Sequence, residues 1–170
     1  MSKIDKKNRF YYDSSFLGSS SGRSLRILAE YYGPLQRLER NNVSETIVFF
    51  GSARIPSKKD AELALQNHSD KKDLQTLAKL KMDVKMSRYY EEARTLANKF
   101  TVWSKNLKDS KHRYIICSGG GPGIMEAANR GASEANGVNV GLTISLPFES
   151  SENEWISDDL SMKFHYFFMR

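Results

Sequence analysis

One cysteine, Cys117, leaves this chain without an intramolecular disulfide and without a cysteine metal cluster. Histidine is equally scarce. His68, His112 and His165 are the only three, and no His/Asp/Glu grouping has metal-ligand spacing, so no metal is expected. No run approaches the roughly 18 apolar residues of a membrane span. Met1 to Arg9 is charged and lacks the apolar stretch of a signal peptide, which makes a cytoplasmic location the expectation. There is no internal repeat, no aromatic–basic RNA motif and no recognition-helix pattern. Neither a membrane nor a nucleic acid is therefore an expected partner, despite the net charge of +6.

What is present suits one soluble domain of 170 residues, with 39% hydrophobic side chains. The charge is unevenly spread. Residues 1–46 carry a net +3, Arg54 adds +1, residues 55–113 carry +6, and residues 114–170 carry −4. The excess positive charge sits on stretches that read as solvated helices.

Residues 1–22 are polar and serine-rich, ending in Gly18-Ser-Ser-Ser-Gly22, and read as a flexible arm. Residues 23–45 read as a helical extension. Ser24 is the expected N-cap, and Leu25, Leu28, Tyr32, Leu35 and Leu38 follow at helical spacing. Gly33-Pro34 is expected to kink or split that helix. Residues 46–170 read as a Rossmann-like domain. Thr46–Phe50 looks like a strand buried on both faces. Residues 57–86 suit an insertion or a pair of surface helices. Tyr89, Ala93, Leu96, Phe100, Trp103 and Leu107 form one apolar stripe on a helix. A strand at Tyr114–Cys117, a glycine-rich turn, a helix over Ile124–Asn136 stopped by Gly137, and a strand from Val138 to Leu146 ending at Pro147 complete the order. Alternating strands and helices predict an α/β fold, a parallel sheet with helices on both faces. Three strands and a final apolar run, Phe164–Arg170, suggest a fold incomplete at the C-terminus, the front part of a larger domain.

The turn Ser118-Gly119-Gly120-Gly121-Pro122-Gly123 is the chemical centre of the sequence. Glycines let the backbone approach a ligand, and the following helix offers free N–H groups and a positive dipole end. Ile124 breaks the dinucleotide pattern G-x-G-x-x-G, and no Gly-Lys-Ser/Thr follows to make a Walker A loop. Gly51 and Ser52 close the first strand at the same end of the sheet, where ligands bind in such folds. The expected ligand-binding residues are Gly51, Ser52, Ser118, Gly119, Gly120, Gly121, Gly123 and Asn129. Glu126, in the first turn of the helix, either stabilises the helix dipole or faces the ligand. Cys117 reads as a buried small hydrophobe rather than a nucleophile, and His165 reads as structural. Arg170 ends the apolar run, and buried aromatics would carry its guanidinium to the sheet, where it suits phosphate or ribosyl oxygens.

The stretch Ser118-Gly-Gly-Gly-Pro-Gly-Ile-Met-Glu-Ala-Ala-Asn-Arg-Gly-Ala132 resembles the first signature of the Lonely Guy family, phosphoribohydrolases once labelled possible lysine decarboxylases. Val48–Arg54, Gly141–Glu149 and Phe164–Arg170 resemble further family segments, and Phe16–Arg40 is similar to the N-terminal extension of a bacterial subgroup. The resemblance implies cofactor-free hydrolysis of the N-glycosidic bond of a nucleoside 5′-monophosphate, with AMP or a cytokinin riboside monophosphate as substrate. It implies Arg170 as the catalytic arginine and a homodimer or larger assembly. The family's second signature, Pro-Gly-Gly-x-Gly-Thr-x-x-Glu, is absent from this sequence. A nucleotide-binding or oligomerisation module without chemistry is the alternative. No lysine lies in a context suited to pyridoxal phosphate.

Overall fold

Short apolar, β-branched segments pair side by side into the sheet around which the chain is built. The structure is a computed structural model that describes residues 9–69, 73–107, 111–145 and 152–170. The strands are β1 (Thr46–Phe49), β2 (Ile115–Ser118), β3 (Asn139–Ile144) and β4 (Ser161–Phe164). All pairings are parallel and the order is β1-β2-β3-β4. The α/β expectation holds, with one more strand than the sequence suggested. β4 is Ser-Met-Lys-Phe, too short and too mixed to stand out.

Five helices are described: α1 (Ser14–Gly18), α2 (Arg23–Arg40), α3 (Lys58–Asn67), α4 (Leu74–Lys105) and α5 (Ile124–Glu134). One sheet face packs Ile116 with Ile47 and Phe49 against Ala97 and Phe100 of α4 and Ala128 and Ala132 of α5. The other packs Ile115, Cys117, Val140, Met162 and Phe164 beneath Leu38 of α2, together with Met169. Helices thus cover both faces.

Several local expectations change. β1 is an edge strand, not a doubly buried one: Val48 is 50% exposed and Phe50 lies beyond the strand at 86%. The charged stretch 57–86 forms α3 and the first part of a single long α4, which begins at Leu74 rather than near Tyr89. The buried face of α4 carries Ser87, Tyr90, Ala97 and Thr101, whereas Leu96, Trp103 and Leu107 of the expected stripe are exposed. Close approach of α4 to α5 selects that face. A Cβ on Gly131 would run into the backbone carbonyl of Arg94, so the contact admits small side chains and excludes large ones.

Pro34 lies inside α2 without splitting it. The helix is tied along its length to the end of the chain. Arg26 Nε donates to Tyr166 Oη at 3.1 Å, Glu30 accepts from the amides of His165 (2.8 Å) and Tyr166 (3.0 Å), and Arg37 donates to the Ser161 carbonyl at 2.9 Å. Ser24 is interior to α2. The N-cap is Gly22, which offers no side-chain bond. At the end of α5, Asn136 takes the left-handed conformation (φ 51°), and Gly137 is small because Thr101 packs on it. From residue 10 onward, the stretch read as an arm forms a 3-10 turn (Phe10–Tyr12) and α1. Residues 1–8 and the expected strand end at Leu146 and Pro147 lie outside the described residues.

Candidate functional site

β2 delivers the chain into the glycine turn, and two residues there require glycine. Gly120 has φ 71°, and Gly123 has φ 73° with ψ −130°, a region closed to residues with a Cβ. A Cβ on Gly123 would meet the Ser52 carbonyl and the Ala53 backbone. The turns after β1 and β2 are therefore in backbone contact, and the Ile124 amide donates to the Ser52 carbonyl at 3.0 Å. Gly51 is pressed against Ile124 in the same way. Gly51, Ser52 and Gly119 to Gly123 come together at the carboxyl end of the sheet. Of the first-turn donors of α5, the amides of Met125 and Glu126 have no acceptor among the described residues.

Asn129 holds this turn from beneath. It is completely buried. Its Oδ1 accepts from Ser118 Oγ (2.6 Å) and Asn153 Nδ2 (3.1 Å), and its Nδ2 donates to Asn139 Oδ1 (2.8 Å) and the Val140 carbonyl (3.1 Å). Those four bonds use the whole capacity of an amide side chain, so Asn129 lies below the turn and not on its open side. Ser118 is likewise buried, its Oγ accepting from the Gly120 amide at 3.0 Å. Asn153, from the segment before β4, clamps the turn from outside, donating to the carbonyls of Gly120 and Gly121 at 3.0 and 3.1 Å. Asn129→Ala is expected to cost about 3 kcal/mol in urea unfolding, because several buried partners lose their bonds at once. A loss below about 0.5 kcal/mol would show that water replaces the amide at no cost.

Arg170 lies over the turn. A Cβ on Gly119 would collide with its Nη2 and with Met125 Sδ. The guanidinium is exposed, has Phe167 at 5.9 Å, and forms no ion pair with any described residue. Its charge also reaches Cys117. Burial pushes that thiol up to about 11, and Arg170 opposes the shift. Cys117 is therefore a neutral, buried thiol near pH 7, as its sequence context suggested. Arg54, on the turn after β1, is a second exposed guanidinium without a partner among the described residues.

Residues 109–163 match the SLOG cluster4 family. The match takes in β2, the glycine turn, α5 and β3, and reaches into β4, roughly a third of the chain. The SLOG superfamily includes Lonely Guy-like proteins, and the match supports a nucleotide-related function at that broad level. No curated protein matches the chain.

Within the matched SLOG segment, Glu126 is half-buried and turned toward α4, where Tyr90 Oη donates to its Oε1 at 2.6 Å. Tyr90 is fully buried. Burial chiefly, and the bond to Glu126 next, hold its hydroxyl above the usual tyrosine range, with Arg130 acting in the opposite sense. Arg130 stacks over Trp155 at 5.0 Å and pairs with Glu134, which Arg94 also engages. Glu126 and Arg170 form no ion pair with each other. Met125 and Arg170 both lie against Gly119, while Glu126 faces Tyr90. Tyr90 and Asn153 were missed in the sequence: Tyr90 sits beside Tyr89 in a charged helix, and Asn153 lies in an irregular segment with no motif. His165 exposes its ring while its backbone amide bonds Glu30, and His112 is exposed. A separate cavity of ≈ 260 Å³ lies at the opposite end of the sheet, lined among others by Lys105, Lys111, His112 and Gly137. Among the described residues, no helix is long and apolar enough to cross a membrane.

Proposed function

We propose that this chain hydrolyses the N-glycosidic bond of a nucleoside 5′-monophosphate, of AMP or cytokinin-riboside-monophosphate type, giving free base and ribose 5-phosphate. The observation that carries this reading is the Arg170 guanidinium over Gly119 and the first-turn amides of Met125 and Glu126 in α5, all without a partner among the described residues. Cation and amide donors together suit phosphate or ribosyl oxygens. The SLOG match supports a nucleotide-type ligand. The step to this particular reaction rests on the resemblance of Ser118–Ala132 and Phe164–Arg170 to Lonely Guy segments. Gly51, Ser52 and Gly119 to Gly123 shape the floor, and Ser118 and Asn129 hold it. Glu126 stabilises the oxocarbenium-like ribose or takes a proton from the attacking water, as a bond forms from C1′ to oxygen and the base departs with a proton. Self-association belongs to the same reading, and the exposed Leu28, Tyr32 and Leu35 of α2, with Phe167 and Phe168, offer apolar surface for it.

One observation favours a second reading, a module that binds nucleotide without chemistry. The candidate carboxylate, Glu126, is turned to Tyr90 and not paired with Arg170. Chromatography of AMP incubated with the chain separates the two. Adenine and ribose 5-phosphate in equal amounts are expected from the hydrolase. Bound AMP that yields no adenine would overturn hydrolysis and leave the binding module.

A further inference from the structure

The packing between α4 and α5 contains a buried phenol with no need of a charged partner for the fold alone. Tyr90 is fully buried, yet its hydroxyl points to the one carboxylate in the first turn of α5. A phenol in an apolar interface is satisfied by any backbone carbonyl. Here it meets a half-buried Glu126 whose other oxygen, Oε2, has no hydrogen-bond partner among the described residues.

We propose that Tyr90 is a positioning residue for Glu126: its hydroxyl engages Oε1 and leaves Oε2 as the carboxylate oxygen without a partner among the described residues. This rests on the reading of Glu126 as the ligand-facing carboxylate. The donated bond fixes the side-chain rotamer, so the free oxygen is held in one direction. The surrounding charges do not substitute for it. From α4, Arg94 is engaged by Glu91 and Glu134. From α5, Arg130 pairs with Glu134 and lies near enough to act on the Tyr90 hydroxyl. No described cation forms an ion pair with Glu126. The bonded pair is Tyr90 and Glu126, and the hydrogen bond of Arg130 goes to Glu134.

The test is the carboxyl-carbon NMR signal of Glu126 in the full chain, comparing the native protein with Tyr90→Phe. Phenylalanine keeps the ring in its packing and removes the donor. The expected result is a displaced and broadened signal, as a carboxylate without its donor samples more than one rotamer, together with kcat for AMP lowered about tenfold at an unchanged KM. An unchanged carboxyl signal in a folded Tyr90→Phe protein would overturn the proposal, since a merely structural tyrosine would not move it. Should that variant not fold, Glu126→Gln decides. The Tyr90 hydroxyl proton is expected as a slowly exchanging resonance that moves in Glu126→Gln, and a resonance indifferent to that substitution overturns the proposal. Both NMR readouts need no substrate, so a failure of adenine release leaves them intact and falls on the hydrolase reading alone.

Discussion

Gly123→Ala is expected to destabilise the protein by about 3 kcal/mol or more and to weaken nucleotide binding at least about a hundredfold. Two costs add. The backbone at φ 73°, ψ −130° is closed to a residue with a Cβ, a strain on the order of 1–3 kcal/mol. The new methyl also meets the Ser52 carbonyl and the Ala53 backbone, which cannot rotate away as a side chain would. Relief requires the turns after β1 and β2 to separate, breaking the bond from the Ile124 amide to the Ser52 carbonyl and opening the floor of the site. The comparison is Gly33→Ala. Nothing lies within 4 Å of a Cβ there, and the residue sits in α2. That change is expected to be neutral or to stabilise by up to about 1 kcal/mol. Thermal unfolding of the two variants and calorimetric titration with AMP provide the measurement. Equal behaviour of the two would remove the turn's special geometry from the account.

Arg170→Ala is expected to leave stability within about 0.5 kcal/mol of native, because the side chain is exposed and its described contacts are few. Its effect falls on the ligand. Losing a charge-assisted partner of a phosphate or ribosyl oxygen is expected to cost roughly 2–3 kcal/mol, some 30- to 150-fold in AMP affinity or in kcat/KM. Arg170→Lys keeps the charge without the planar fork and is expected to recover only part of that loss. The combination of unchanged unfolding and lost ligand affinity is the signature. A variant that binds AMP as tightly as the native protein would mean that the guanidinium over Gly119 does not contact the nucleotide. The arginine's position has its own cause. Glu30 of α2 holds the backbone of His165 and Tyr166, and Arg26 holds the Tyr166 hydroxyl, so α2 sets the path of the segment that ends at Arg170.

The fold class was legible because β2 and β3 are short buried apolar runs around an unmistakable glycine turn, and a parallel sheet follows from strand–helix alternation. β4 was not legible. Four residues with Ser and Lys among them carry no period, and only the register against β3 makes them a strand. The face of α4 was misread by about one residue's rotation. Large apolar side chains mark a stripe in sequence, but the contact with α5 is set by Ala97, Gly131 and Ala132, whose smallness carries no hydrophobic signal. In the site, the glycines announced themselves because their backbone role requires their identity. Arg170 was legible through the aromatics before it. Asn129 was expected to bind ligand, but its place beneath the turn comes from a hydrogen-bond network spanning Ser118, Asn139 and Asn153, which no local pattern encodes. Tyr90 required the packing of two helices far apart in sequence.

The most direct measurement is amide NMR of the labelled chain titrated with AMP. The structure offers two separate places for an anion: the glycine turn at the carboxyl end of the sheet, and the basic cavity with Lys105 and His112 at the other end. The account requires saturable shifts of the amides of Gly119 to Gly123, Met125 and Glu126, together with the Arg170 side chain. Shifts confined to Lys105, His112 and Gly137, with the turn silent, would contradict it.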